Sequence, residues 1–329
     1  MLRRRVLSFA LVSGVWPFAA RHAGAARRAD RLYRIGVLSL TSFDGTTLAE
    51  VMEKGLGRRG YVVGRDILIE DKFADGKVDR LPALAAELVG LKVDLIVAGS
   101  VVAIRAAHNA TTTIPIVMAF SGEDPVKSGF VRSLGRPGGN VTGVTAVARD
   151  LAPKTLELLR DVVPGLVRIA VLTNPARPEH AEYLRVVQAV RPQGVQLQVL
   201  AAAEPDQYGA AFAAMAQQHA EGLVIFGDVM FTRDSERLAE LARLHKLPSV
   251  YLHKAFAVAG GLMSYGPDLR LLLDLAADYV DKILKGTNPE ALPVQQPTTF
   301  KLAINMKTAK ALGLTIPPSL RLRAAEVIQ

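Results

Sequence analysis

From Arg34 onward, short apolar runs alternate with stretches whose apolar residues recur at helical spacing. RIGVLSL (34–40) is uncharged after its arginine and reads as a strand. Residues 47–59 follow with Leu48, Val51, Met52 and Leu56 on one helical face. DILIEDKF (66–73) alternates apolar and polar, and 80–90 is a second amphipathic stretch. DLIVAGS (94–100), 101–109 and IPIVMAF (114–120) add a third strand, a third helix and a fourth strand. Gly or Asn lies near most transitions, where helix ends and turns use left-handed backbone.

The second half repeats the scheme. VRIAVLT (167–173), 178–191, VQLQVL (195–200), 206–219, GLVIF (222–226), 232–245 and PSVYL (248–252) again read βαβαβαβ. The spacings agree: Ile35 to Ile67 is 32 residues and Ile169 to Leu197 is 28, and the next steps are 28 and 26. Two like-built α/β units are expected, each a doubly wound parallel sheet with helices on both faces. The boundary falls near RPGGNVTG (136–143), before a helix that begins at about Leu151. A long helix (268–284) and a further strand and helix (299–312) follow, too small for a third unit. They are expected to return and cap the first two, so that the chain crosses between lobes more than once. Such crossings make a hinge, with a ligand cleft at the carboxyl ends of the strands.

Composition agrees with a folded chain: 329 residues, 50% apolar and 22% charged. The absence of cysteine excludes disulfides, thiolate nucleophiles and cysteine-ligated metal. The net charge of +9 includes Arg3, Arg4, Arg5 and Arg21, which leaves +5 beyond residue 25. That remainder shows no basic stripe interleaved with aromatics, so nucleic acid is not an expected partner.

Residues 1–25 read as a cleaved export signal. Three arginines precede the uncharged run VLSFALVSGVWPFAA (6–20), and Ala23-Gly24-Ala25 offers a small-residue cleavage site. The run falls short of the ~20 residues that span a bilayer and contains Pro17. General and twin-arginine export both fit. The mature protein is expected in the periplasm, cleaved near Ala25.

Catalytic signatures do not emerge. Gly55, Gly57 and Gly60 match GxGxxG, but they close a helix, whereas the dinucleotide motif opens one. There is no phosphate loop, GxSxG or HExxH, and the six histidines show no paired metal spacing. No cofactor, metal or enzymatic activity is expected.

The stretches IPIVMAFSGEDPVKSGFVRSLGRPGGNVTGVT (114–145), AGGLMSYGPDLR (259–270) and FKLAINMKTAKALGLTIP (300–317) closely resemble the periplasmic substrate-binding family of ABC transporters, which includes tryptophan/tyrosine-type uptake proteins. The resemblance runs from about Arg34 to the C-terminus. It implies the type I periplasmic-binding fold: two doubly wound lobes, three crossovers and a ligand trapped by closure. By that resemblance lobe one is 31–146 plus 260–293, and lobe two is 147–259 plus 294–329. The RPGGNVTG segment is then structural. The implied partners are a small-molecule ligand and an ABC permease with its ATPase, the membrane being met only through the permease, and the receptor is expected to be a monomer. A periplasmic sensor that presents its ligand to a signalling partner is the alternative; an α/β enzyme is a third reading.

Ligand-binding residues are then expected just after strand ends. In lobe one these are Thr41, Asp44, Ser100 and Ser121; in lobe two, Asn174, Asp228, Tyr251 and Tyr265. Ser100 reads equally as a helix N-cap or as part of a carboxylate grip. The two tyrosines read as stacking partners for a flat ligand or as packing. Asp228 is either a helix-starting acid or the counter-charge for a ligand ammonium. An aspartate stands at the matching place in the tryptophan-type relatives, whose ligand is a zwitterionic aromatic amino acid. The loops at 39–45, 120–124 and 174–180 match those relatives poorly, so ligand identity carries over less well than the fold.

Overall fold

The computed structural model describes residues 31–41, 46–146 and 151–329. The expected signal peptide and Asp44 lie outside the described residues.

The first lobe opens with β1 (Tyr33–Ser39), α1 (Leu48–Arg58), β2 (Ile67–Phe73), α2 (Leu81–Gly90), β3 (Leu95–Gly99), α3 (Val101–Ala110), β4 (Ile116–Phe120) and β5 (Val141–Gly143). Its sheet runs β2-β1-β3-β4-β5, every pair parallel. Strands covered on both faces favour apolar residues at successive positions, which is why RIGVLSL and LIVAG read as near-continuous apolar runs. Ile35, Val37, Val97 and Val117 face one core, while Leu38, Ile96, Ala98 and Met118 face the other.

The second lobe takes α4 (Ala152–Val162), β6 (Arg168–Thr173), α5 (Pro178–Val190), β7 (Gln196–Ala201), α6 (Tyr208–Gln217), β8 (Gly222–Ile225), α7 (Val229–Arg233), α8 (Ser235–Leu244), β9 (Ser249–Tyr251), α9 (Lys254–Val258) and β10 (Met263–Pro267). Next, α10 (Leu269–Leu284) returns to the first lobe, where Leu272, Leu273, Ala276 and Val280 join Ile35 and Val37. The chain then re-enters the second sheet as β11 (Phe300–Asn305), α11 (Met306–Ala311), α12 (Pro318–Arg323) and β12 (Glu326–Ile328). That sheet runs β12-β11-β10-β9-β8-β6-β7, with only the β10–β11 pair antiparallel.

The two-lobed α/β architecture expected from the sequence is present, with two boundaries displaced. Residues 260–267 were expected in lobe one, yet β10 bonds to β9 and β11 of the second sheet. The second crossing therefore falls at Asp268, the N-cap of α10. The third falls after Gln295, which still bonds to Gly143 and Thr145 of the first lobe. The first lies between Ala146 and Leu151, which belong to the cores of different lobes. Asp268 and Lys301 form an ion pair at 2.5 Å, tying the second crossing to the start of β11. Burial works to raise the Asp268 carboxyl, but Lys301 and the amides of Arg270 and Leu271 outweigh it and hold it below the ordinary range.

The glycine and asparagine motifs serve packing. A Cβ at Gly55 would lie 2.7 Å from the Cβ of Ala277, so this glycine lets α1 lie against α10. A Cβ at Gly266 would collide with the carbonyl oxygen of Leu252. In RPGGNVTG, Asn140 Nδ2 donates to the carbonyls of Thr111 (3.1 Å) and Ile114 (2.8 Å), and Thr142 Oγ1 donates to Leu292 O (2.7 Å). No helix among the described residues is long and apolar enough to cross a membrane.

Candidate functional site

The carboxyl ends of both sheets face a cleft of about 1360 Å³ between the lobes. Lobe one contributes Thr41, Phe73, Ser100, Phe120 and Glu123 to its walls; lobe two contributes Arg177, Phe226, Asp228, His253 and Ser264. Among the described residues no group of His, Asp and Glu is placed to hold a metal ion.

Contacts already reach across it. Lys127 Nζ lies 2.5 Å from Glu182 Oε1. The Phe120 ring meets His253 edge-on at 6.2 Å. Val229, the first residue of α7, packs against the core of the first lobe.

The expected site residues divide between wall and interior. Thr41 and Ser100 line the cleft. Ser100 caps α3, its Oγ accepting from Ala103 N at 3.4 Å. Its φ of 128° lies in a region that non-glycine residues rarely adopt, a strain that persists only where the surroundings enforce it. Ser121 is fully buried and does not line the cleft; its Oγ bonds to both the carbonyl and the amide of Glu123 and shapes the turn that carries that acid. Burial, with the nearby charge of Glu179, pushes the Glu123 carboxyl above its ordinary value, against the Ser128 hydroxyl and Arg105.

Tyr251 does not line the cleft either. It is fully buried and stacks on Phe256 with ring centres 4.3 Å apart, so it belongs to the core beneath α9. A strand end places alternate side chains on opposite faces, and Tyr251 falls on the inner one. Tyr265 is half-buried against Phe300, ring centres 5.9 Å apart, while its neighbours Ser264 and Gly266 form the wall. Neither tyrosine is positioned to stack on a cleft ligand in this arrangement.

Asn174 and Asp228 come together. Asp228 caps α7: Oδ1 accepts from Met230 N (2.6 Å) and Phe231 N (3.1 Å). Its Oδ2 accepts from Asn174 Nδ2 (3.2 Å) and Arg177 Nε (3.1 Å). His180 completes the cluster. Its Nδ1 accepts from Asn174 N at 2.8 Å, so the neutral ring carries its proton on Nε2, which faces Gly227 O at 3.2 Å. Burial lowers the pKa of this imidazole, against the raising effect of the Gly227 carbonyl and Asp228.

His180 was passed over in the sequence because it pairs with no other histidine. Its signal was local: with Asn174 it frames the turn Asn174-Pro175-Ala176-Arg177 directly after β6. Lys127 and Glu182 left no signal, since nothing in a sequence says which surface charges of two lobes will face each other.

Known proteins resemble this chain in sequence and fold. The pattern of the family described as ABC transporter substrate binding protein matches residues 34–328. A tyrosine-binding protein of Clostridioides difficile (strain R20291) is 27% identical over 268 residues, covering 79% of this chain and 75% of that protein. The crystal structure of an ABC domain in complex with L-Trp from Streptococcus pneumoniae superposes with a TM-score of 0.83 at 25% identity, covering 91% of this chain and all of that one. A conserved domain protein of Vibrio cholerae gives the same TM-score, 0.83, at 26% identity over 90% of this chain and all of its own. With two lobes, three crossings and a cleft at the strand ends, the chain belongs to the ABC transporter substrate-binding protein family.

Proposed function

We propose that this protein is the extracytoplasmic receptor of an ABC importer, capturing one small polar solute between its lobes and presenting it to a permease. The observation that carries the reading is the cleft, lined from both lobes at the carboxyl ends of their sheets and bridged by Lys127–Glu182 and Phe120–His253. Two lobes joined by short crossings can close on a ligand by a hinge motion. The names of two relatives, one bound to L-Trp and one called tyrosine-binding, support an amino acid or a related aromatic acid as the ligand class. Thr41 and Ser100 supply polar contacts from lobe one, and the Asp228 cluster supplies the polar floor of lobe two. We place the mature chain in the periplasm as a monomer, released from its signal near Ala25.

The test is a thermal-shift screen of the mature protein against amino acids, aromatic acids, amines and sugars. A ligand at 100 times its Kd adds about 2.7 kcal/mol of stability. A clear shift with one class supports solute capture, and a flat response across the whole panel overturns it. Intact mass of protein from the periplasmic fraction checks export, and a full-length chain retained in the cytoplasm defeats that part.

A further inference from the structure

Asp228 is fully committed within the protein. Its carboxylate is completely withdrawn from solvent. It accepts four hydrogen bonds, two from the first amides of α7, one from Asn174 and one from Arg177. An ionised carboxylate offers about four lone-pair positions, so none remains for a ligand ammonium. The cation that balances it is Arg177, from the same lobe and 51 residues away.

Arg177 is held without being used up. Nε donates to Asp228, while Nη1 and Nη2 have no hydrogen-bond partner among the described residues. The side chain keeps 18% of its surface exposed, on the cleft wall. The turn that carries it is braced, because Asn174 Oδ1 accepts from Ala176 N at 3.0 Å while Asn174 Nδ2 holds Asp228. A second acid, Glu179, forms a looser ion pair with Nε at 3.9 Å, without a hydrogen bond. Glu123, on the opposite lobe, is engaged by Ser128 Oγ at 2.5 Å and Arg105 at 3.6 Å, and it faces the Glu179 side chain. A guanidinium anchored through Nε and open at both terminal nitrogens is a planar fork that matches a carboxylate.

We propose that Arg177 takes the place a ligand ammonium would occupy beside Asp228, and that the cleft therefore selects a carboxylic acid lacking an α-amino group. This rests on the solute-capture reading and narrows its ligand class. The acid's carboxylate docks on Nη1 and Nη2 of Arg177, and Asp228 acts as a positioning residue behind it. An α-amino acid brings an extra positive charge to a guanidinium whose counter-charge is already taken, and loses affinity for that reason.

The test is calorimetry on the mature protein with matched pairs: L-phenylalanine and 3-phenylpropionate, L-tyrosine and 3-(4-hydroxyphenyl)propionate, L-leucine and 4-methylpentanoate. Neutral sugars and primary amines complete the panel. The expected result is that the acid of the best pair binds at least tenfold tighter than its amino acid. In Arg177→Ala the order is expected to reverse, because the freed Asp228 carboxylate then accepts the ammonium; a merely structural arginine would weaken both members alike. Arg177→Lys, which keeps the charge and loses the fork, is expected to retain the order with a smaller ratio. If Arg177→Ala does not fold, the wild-type ratio and the lysine variant decide. Tighter binding of an amino acid, amine or sugar by the wild type overturns the inference and leaves solute capture standing. Silence across the entire panel overturns both.

Discussion

Lys127 and Glu182 meet across the mouth of the cleft at 2.5 Å, the first from the loop between β4 and β5, the second from α5 of the other lobe. The lysine is 61% exposed, so the pair acts through a screened field and is worth up to about 1 kcal/mol. It matters because its two members come from different lobes.

Lys127→Ala is therefore expected to weaken the best ligand by up to about fivefold while the apo melting temperature stays put. Calorimetry at low and high salt checks it: the difference between wild type and variant should shrink as salt rises. A variant with unchanged affinity at low salt would remove the pair from closure.

Asp228→Ala is expected to destabilise the apo protein by about 2–4 kcal/mol, since it strips α7 of its cap and leaves Arg177 without its buried partner. Read from the sequence alone, the same substitution looks neutral for the apo form, as an acid kept free for ligand would be. Chemical denaturation of the ligand-free variant separates the two, and an unchanged midpoint would return Asp228 to the ligand.

His180 makes acid stability specific to one site. An unfolded imidazole titrates near 6.5, and burial lowers that value in the folded protein. Between the two values the unfolded chain binds a proton that the folded chain refuses, so stability falls as pH drops below about 6.5 toward the lowered folded value. Above 6.5 the contribution is flat. Denaturation midpoints from about pH 7.5 to about pH 5.5 should decline in wild type and decline less in His180→Gln. Equal slopes would contradict the assignment.

Gly266→Ala is expected to cost more than about 3 kcal/mol, because its Cβ meets backbone, the Leu252 carbonyl, rather than a side chain that can swing away. Thermal unfolding of the variant reads this directly. A shift within error would mean that β9 and β10 can part without penalty.

Much of this protein was legible along the chain. The strands β1, β3, β6 and β8 announced themselves as near-continuous apolar runs, with polar residues only at their ends, because each is covered on both faces. The helices between them showed single apolar faces because each has only one side to bury. The GxGxxG match was readable as a helix end, and Gly55 against Ala277 supplies the reason for its first glycine. Local pattern sufficed wherever burial was decided by immediate neighbours.

What the tertiary structure decided depends on pairings at long range. MSYGP, interrupted by Gly266 and Pro267, is not among the strands expected from the sequence, and only its pairing with Val250, Tyr251 and residues 300–304 makes it a strand of the second lobe. Tyr251 stands at a strand end as expected, and the pleat turns it into the core. Asp228 stands out in the sequence as an acid just after a strand, and Arg177 lies in the loop after β6. Their bond spans 51 residues and two strands of one sheet, and it changes a vacant counter-charge into an occupied one. Charge at a site is the sum over whatever folding brings within a few ångströms, and no local pattern contains that sum.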